Sequence, residues 1–177
     1  MNIEKIQSNW ETYSSILARF QDGGIDSLLE SLGERLCIAP ANPREEQYGC
    51  FPGGLISHQL GVLRLMKKVS EVHDCDFDAK SLYKVSLLHD IGRIGTDDMD
   101  WLKEQDSAWH RERGFHFKAN FDLPELTHVQ RTLYFLQKHK VSLTEEEYMA
   151  ILSIEDNNPR NKLASLLLHA RTMLKKG

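Results

Sequence analysis

Leu82-Tyr83-Lys84-Val85-Ser86-Leu87-Leu88-His89-Asp90-Ile91-Gly92 is the stretch on which the reading of this chain turns. Leu82, Val85 and Leu88 recur at steps of three, the spacing of one helical face, so a helix is expected from about Asp78 to His89. Gly92 stands where that helix should end, because glycine accepts backbone conformations that other residues resist. Adjacent residues in a helix point about 100° apart and seldom reach one ion. At a helix end the backbone loosens, and His89 and Asp90 can turn toward a common point. An imidazole beside a carboxylate is a donor pair for zinc, iron or manganese. A third donor, His58, falls on an expected helix from about Leu55 to Val72, whose apolar face is Leu55, Val62, Leu65, Met66 and Val69. Two helices joined by a short loop would bring residues 58 and 89 together. Each signal taken singly is weak, since a lone histidine in an apolar helix is commonly a hydrogen-bonded core residue.

The rest of the chain also reads as helices, interrupted by two irregular stretches. Ile3, Ile6, Trp10, Tyr13, Ile16, Leu17 and Phe20 share one face of a helix over about residues 2–20, stopped by Asp22-Gly23-Gly24. A second helix is expected from Asp26 to about Leu36. Residues 39–54 hold three of the five prolines and no sustained period, which predicts a loop. Residues 95–126 are also irregular, with Phe115-His116-Phe117-Lys118 alternating as a short strand would. Helices resume over Thr127–Lys140, at the capping box Thr144-Glu145-Glu146-Glu147, and at Asn158-Pro159, read as an N-cap with proline in the first turn of a last helix to about Lys175. The fold class is all-α, one domain over 1–177 with six or seven helices. Residues 1–36 form N-terminal helices packed on a core of 38–175.

Hydrophobic residues make up 41% and charged residues 27%, an ordinary globular composition. A net charge of -4 argues against a clamp for extended nucleic acid, whose affinity comes from neutralising phosphates. Cys37, Cys50 and Cys75 lack a Cys-x-x-Cys spacing, which suits reduced thiols in the cytoplasm. No signal-peptide core or membrane span is expected. No phosphate-binding P-loop or nucleophile elbow occurs, so serine or cysteine nucleophiles have little support.

Phe51-Pro52-Gly53-Gly54-Leu55-Ile56-Ser57-His58, followed by Ser86-Leu87-Leu88-His89-Asp90-Ile91-Gly92-Arg93, resembles the HD superfamily of metal-dependent phosphohydrolases, in particular small stand-alone HD proteins of bacteria and phages. The likeness runs through Ser107-Ala108-Trp109-His110-Arg111-Glu112, Leu133 to Ile151 and Leu166-Leu167-Leu168-His169, and so covers roughly residues 38–175. It implies an HD-type helical bundle and a divalent metal ion on His58, His89 and Asp90, with Mn, Fe, Zn, Mg and Ni not distinguished. His128 matches an intermediate histidine that ligates or acts as a base. The resemblance implies hydrolysis of a phosphomonoester, nucleotide, or short or cyclic oligonucleotide, with Asp90 and His128 handling protons. Arg93, Trp109 and Arg111 would then hold this small phosphorylated ligand. Two late positions depart from the pattern. Ile154 stands where a histidine is usual, and the alignment sets Thr172 at the metal-binding aspartate, next to the unusual Arg171. Glu155 and Asp156 are candidate replacements, and Arg171, if turned inward, would repel a metal or bind phosphate. These departures give an alternative: a degraded HD domain that binds a nucleotide or protein partner without turnover. His73, His110, His116, His139 and His169 receive no site role, and His169 is expected to pack within the last helix.

Overall fold

The structure, a computed structural model, describes residues 2–72 and 77–175. Its helices are α1 (Ile3–Ala18), α2 (Gly23–Ile38), α3 (Gly54–Val72), α4 (Ala79–Leu88), the single turn α5 (Ala108–Arg111), α6 (His128–Lys138), α7 (Glu145–Leu152) and α8 (Lys162–Lys175). A 3-10 turn at Ile91–Ile94 follows α4, and two short strands, β1 (Leu102–Glu104) and β2 (Phe117–Ala119), complete the elements among the described residues. The all-α bundle is as expected, with α5 and the 3-10 turn added to the helices counted from the sequence. The expected turn at His73-Asp74 and the thiol of Cys75 lie outside the described residues.

Helix α3 is the axis of the bundle. Leu55, Ile56, His58, Gln59, Leu60, Val62 and Leu63 are all buried, as in a helix surrounded on every side. It packs against α1, α2, α4 and α8. Tyr13 of α1 is fully buried, and its hydroxyl donates to the Leu87 carbonyl at 2.9 Å, satisfying an acceptor in the last turn of α4. Glu147 of α7 is also buried and accepts from Ser81 Oγ at 2.9 Å and Lys84 Nζ at 3.2 Å, which ties α7 to α4.

Four boundaries differ from the sequence reading. The left-handed residue after α1 is Gln21, at φ 52, not a glycine. Asp22 instead caps α2 by accepting from the Gly24 amide at 2.8 Å, so that helix begins three residues before Asp26. Gly24 is required for proximity: a Cβ there would stand 2.6 Å from the backbone at Lys140 and Val141. The last helix starts at Lys162 and not at Asn158-Pro159. Its cap is Asn161, whose Oδ1 accepts from the Ala164 amide at 2.7 Å. The strand expected at Phe115–Lys118 is shifted to Phe117–Ala119, where it pairs antiparallel with β1, Lys103 opposite Lys118. Phe115 is taken by the Arg44 guanidinium, 4.0 Å above its ring.

The 3-10 turn lies directly against α6. The Gly92 amide donates to Thr132 Oγ1 at 2.9 Å, and a Cβ on Gly92 would run into the His128 carbonyl and the Thr132 amide. Both obstacles are backbone or tightly held. Gly92→Ala is therefore expected to cost about 3 kcal/mol, read as a lower urea midpoint with an unchanged slope. An unaltered midpoint would show that α6 does not press on this turn.

Candidate metal centre

Three donors meet where α3, the end of α4 and the 3-10 turn converge. His58 comes from the buried part of α3. His89 is the C-cap of α4, its amide bonded to the Val85 carbonyl. Asp90 leaves the helix at φ -120 and ψ 11, which swings its carboxylate to the same side as His89. One ligand atom from each of the three residues lies within 4.8 Å of the others. His89 and Asp90 have no exposure and His58 has 6%.

The protonation pattern follows from the hydrogen bonds. His89 Nδ1 sits 2.9 Å from the Ser86 carbonyl, and a carbonyl can only accept, so the proton is on Nδ1. The lone pair on Nε2 then points into the centre. Burial pushes the His58 imidazole down to about 3 and the His89 imidazole down to about 4, so both are neutral near pH 7, the form that binds metals. Burial alone would raise the Asp90 carboxyl, but Arg171 and then Arg93 hold it well below the usual carboxylate range. His58 Nε2, His89 Nε2, Asp90 Oδ1 and Arg171 Nη1 are buried with no hydrogen-bond partner. Unpartnered buried lone pairs facing one another are costly unless something completes them. Two neutral imidazoles and one carboxylate fit a divalent cation, and three protein donors leave open positions, as catalytic metal sites require.

The carboxylate is surrounded by cationic and histidine groups. Asp90 Oδ2 accepts from Arg93 Nε at 2.9 Å. Asp90 Oδ1 lies 3.4 Å from Arg171 Nη1 and 3.5 Å from His128 Nε2. Arg93 also donates to the Ala41 carbonyl at 3.0 Å and reaches Asn42 Oδ1 at 3.4 Å. Asn42 in turn donates to the Tyr48 carbonyl at 2.8 Å, and the Tyr48 ring stacks on His58 with centroids 3.9 Å apart. The loop before α3 thus roofs the centre, held there by Arg93. Asn42, Glu46, Gln47, Tyr48 and Arg93 line a cavity of ≈290 Å³ at its mouth.

The structure brings His58, His89, Asp90, Arg93 and His128 into one group. It does not bring Thr172, whose hydroxyl donates back to the Leu168 carbonyl on the exposed side of α8. The side chain of this last helix that faces the centre is instead the neighbouring Arg171, which is 3% exposed. Ile154 packs against the core. Glu155 accepts from Thr127 Oγ1 and Asp156 pairs with Arg160, so neither carboxylate replaces the missing ligand. The contacts of Trp109 and Arg111 run within their own segment. Arg113 lies 3.6 Å over the Trp109 ring, and Arg111 donates to the Gln105 carbonyl. His169 is exposed rather than packed within α8. Tyr48 and Trp101, whose ring lies 5.5 Å from the Arg93 guanidinium, are aromatic neighbours that the sequence did not point to.

A neutral buried histidine makes stability depend on pH. The unfolded chain takes up a proton near 6.5, whereas the folded chain refuses it until about 4 at His89 and about 3 at His58. Stability of the chelator-treated protein should therefore fall as pH drops from 6.5 toward 4, by up to about 1.4 kcal/mol per pH unit for each histidine. Asp90 adds its own loss only at lower pH, once the unfolded carboxyl protonates. Urea midpoints at pH 7, 6, 5 and 4.5 read this directly, and a flat profile would mean that the imidazoles take up protons as readily in the folded chain as in the unfolded one.

Searches of curated proteins and of solved structures returned no match. A family model, the HD domain, matches residues 55–167, which contain His58, His89, Asp90, Arg93 and His128. That span is more than half of the chain and carries the buried histidine–histidine–aspartate centre, so the chain belongs to the HD-domain family, the superfamily of metal-dependent phosphohydrolases.

Proposed function

We propose that this protein hydrolyses a small phosphorylated compound, a phosphomonoester, nucleotide, or short or cyclic oligonucleotide, with a divalent cation held by His58, His89 and Asp90. The observation that carries this reading is the buried trio of unpartnered donor atoms within 4.8 Å of one another. A divalent cation held there would supply Lewis acidity and lower the pKa of a water toward ~7. Asp90, ionised because two guanidiniums flank it, presents a carboxylate oxygen that can orient a water in the centre. His128 is 30% exposed and 3.5 Å from Asp90 Oδ1, so it can carry a proton between the buried centre and solvent. Arg93 lines the ≈290 Å³ cavity and presents positive charge to a phosphoryl group entering there. A cavity of this size favours a small ligand over a polymer, and the net charge of -4 supports the same choice. The free Cys37 and Cys50 thiols support placing the protein in the cytoplasm.

A second reading, a domain that binds such a ligand without turnover, is favoured by one observation: a buried arginine, Arg171, faces Asp90 where a further carboxylate would complete a four-ligand site. Metal content and turnover separate the two. Elemental analysis after loading with manganese, iron or zinc should find near-stoichiometric metal in the wild type and none in the His89→Ala/Asp90→Ala double variant. Asp90→Asn, close in shape, should lower phosphoester turnover by about 100-fold or more. Retained metal with no turnover on any phosphoester would favour the binding reading, and failure to retain metal would sink the hydrolase.

A further inference from the structure

Counting the charge at the centre shows what this chain lacks. His58 and His89 are neutral, Asp90 contributes one negative charge, and Arg93 and Arg171 contribute two positive ones. Among the described residues the other nearby carboxylates are taken up elsewhere: Glu46 pairs with Arg44, Glu155 accepts from Thr127 and Asp156 pairs with Arg160, while Thr172 faces away. A divalent cation entering alone would meet a pocket that is already net positive. It would also compete for Asp90 Oδ1, the oxygen beside Arg171 Nη1 at 3.4 Å. Arg171 is 3% exposed, so water cannot screen its charge effectively. Its Nη1 is buried, has no hydrogen-bond partner and faces the donor atoms. A guanidinium N–H left open in this way suits a phosphoryl oxygen, which it binds with a charge-assisted hydrogen bond.

We propose that the divalent cation and the phosphate group bind this centre as mutually dependent ligands, with Arg171 as the residue that couples them. The proposal rests on reading His58, His89 and Asp90 as the metal site. The phosphate supplies the negative charge that a fourth protein carboxylate would otherwise provide. It accepts from Arg171 and draws that guanidinium away from Asp90 Oδ1. The cation then gains both the carboxylate oxygen and an anionic neighbour. Because linkage is reciprocal, the cation raises phosphate affinity by the same factor. The residue that disfavours metal by itself thereby makes metal binding tightest in the phosphate-bound state.

The test is a titration of manganese(II) into the chelator-stripped full chain, with free manganese followed by electron paramagnetic resonance, with and without millimolar inorganic phosphate. In the wild type, phosphate should tighten manganese binding by on the order of tenfold, within the usual range of coupling between sites. Arg171→Gln, which removes the charge but retains a polar side chain, should bind manganese more tightly than the wild type without phosphate and lose most of the phosphate effect. Arg171→Lys, which retains the charge, should keep the effect in part. Equal manganese affinity with and without phosphate in the wild type would overturn the proposal without any variant. A full phosphate effect in folded Arg171→Gln would overturn the role of Arg171. No manganese binding by wild type or variants under either condition would instead remove the metal centre itself, and the coupling with it.

Discussion

A carboxylate with no solvent exposure must be held by positive charge or by a cation, and Asp90 sets that requirement for the whole molecule. Arg93 answers it from the 3-10 turn and in doing so fastens the loop before α3 through the Ala41 carbonyl and Asn42. Arg171 answers it from α8, and His128 approaches from the first turn of α6. Four parts of the chain far apart in sequence are thus fixed around one charge. The Gly92–Thr132 contact makes the arrangement rigid, because α6 rests directly on the turn that follows Asp90.

This construction separates packing from chemistry. The bundle is stabilised mainly by apolar burial around α3, and a buried ion pair adds little to that, since desolvation offsets much of the attraction. What the paired guanidiniums do is keep Asp90 ionised at zero exposure while both histidines stay neutral. An ionised carboxylate beside two neutral imidazoles is the protonation state a metal needs. Arg171 is the unusual part of this set, because it favours the charged carboxylate and opposes the cation that the carboxylate would bind. An anion in the same pocket is the simplest way to satisfy both demands.

The sequence was most informative where periodicity is strict. The Leu82, Val85, Leu88 stripe put His89-Asp90 at a helix terminus, where α4 ends, and the apolar period of α3 put His58 inside that helix. The register of the last helix was also readable, although motif alignment missed it. Leu163, Leu167, Ala170 and Arg171 are buried, while Ser165, His169 and Thr172 are exposed, as a period of 3.6 requires. Arg171 lies four residues after Leu167 and so shares its inward face. Tyr48 gave no such signal, because a loop residue has no period and its stacking on His58 depends on where Arg93 pulls the chain. The cap of α8 was misread because Asn158-Pro159 and Asn161 are chemically similar starts, and only the bond from Ala164 to Asn161 distinguishes them.

The sequence by itself determined the helical class and the core-facing residues of the long helices, because these follow from spacing along one chain segment at a time, and its resemblance to the HD motifs singled out His58, His89 and Asp90 as candidate donors. Only the tertiary structure decided that the donor atoms converge within 4.8 Å, that Arg171 rather than Thr172 completes the ring around Asp90, and that Tyr48 covers His58. Those facts depend on how separate helices are rotated and seated against one another. That is fixed by packing and by the need to neutralise a buried charge, neither of which can be read from local spacing.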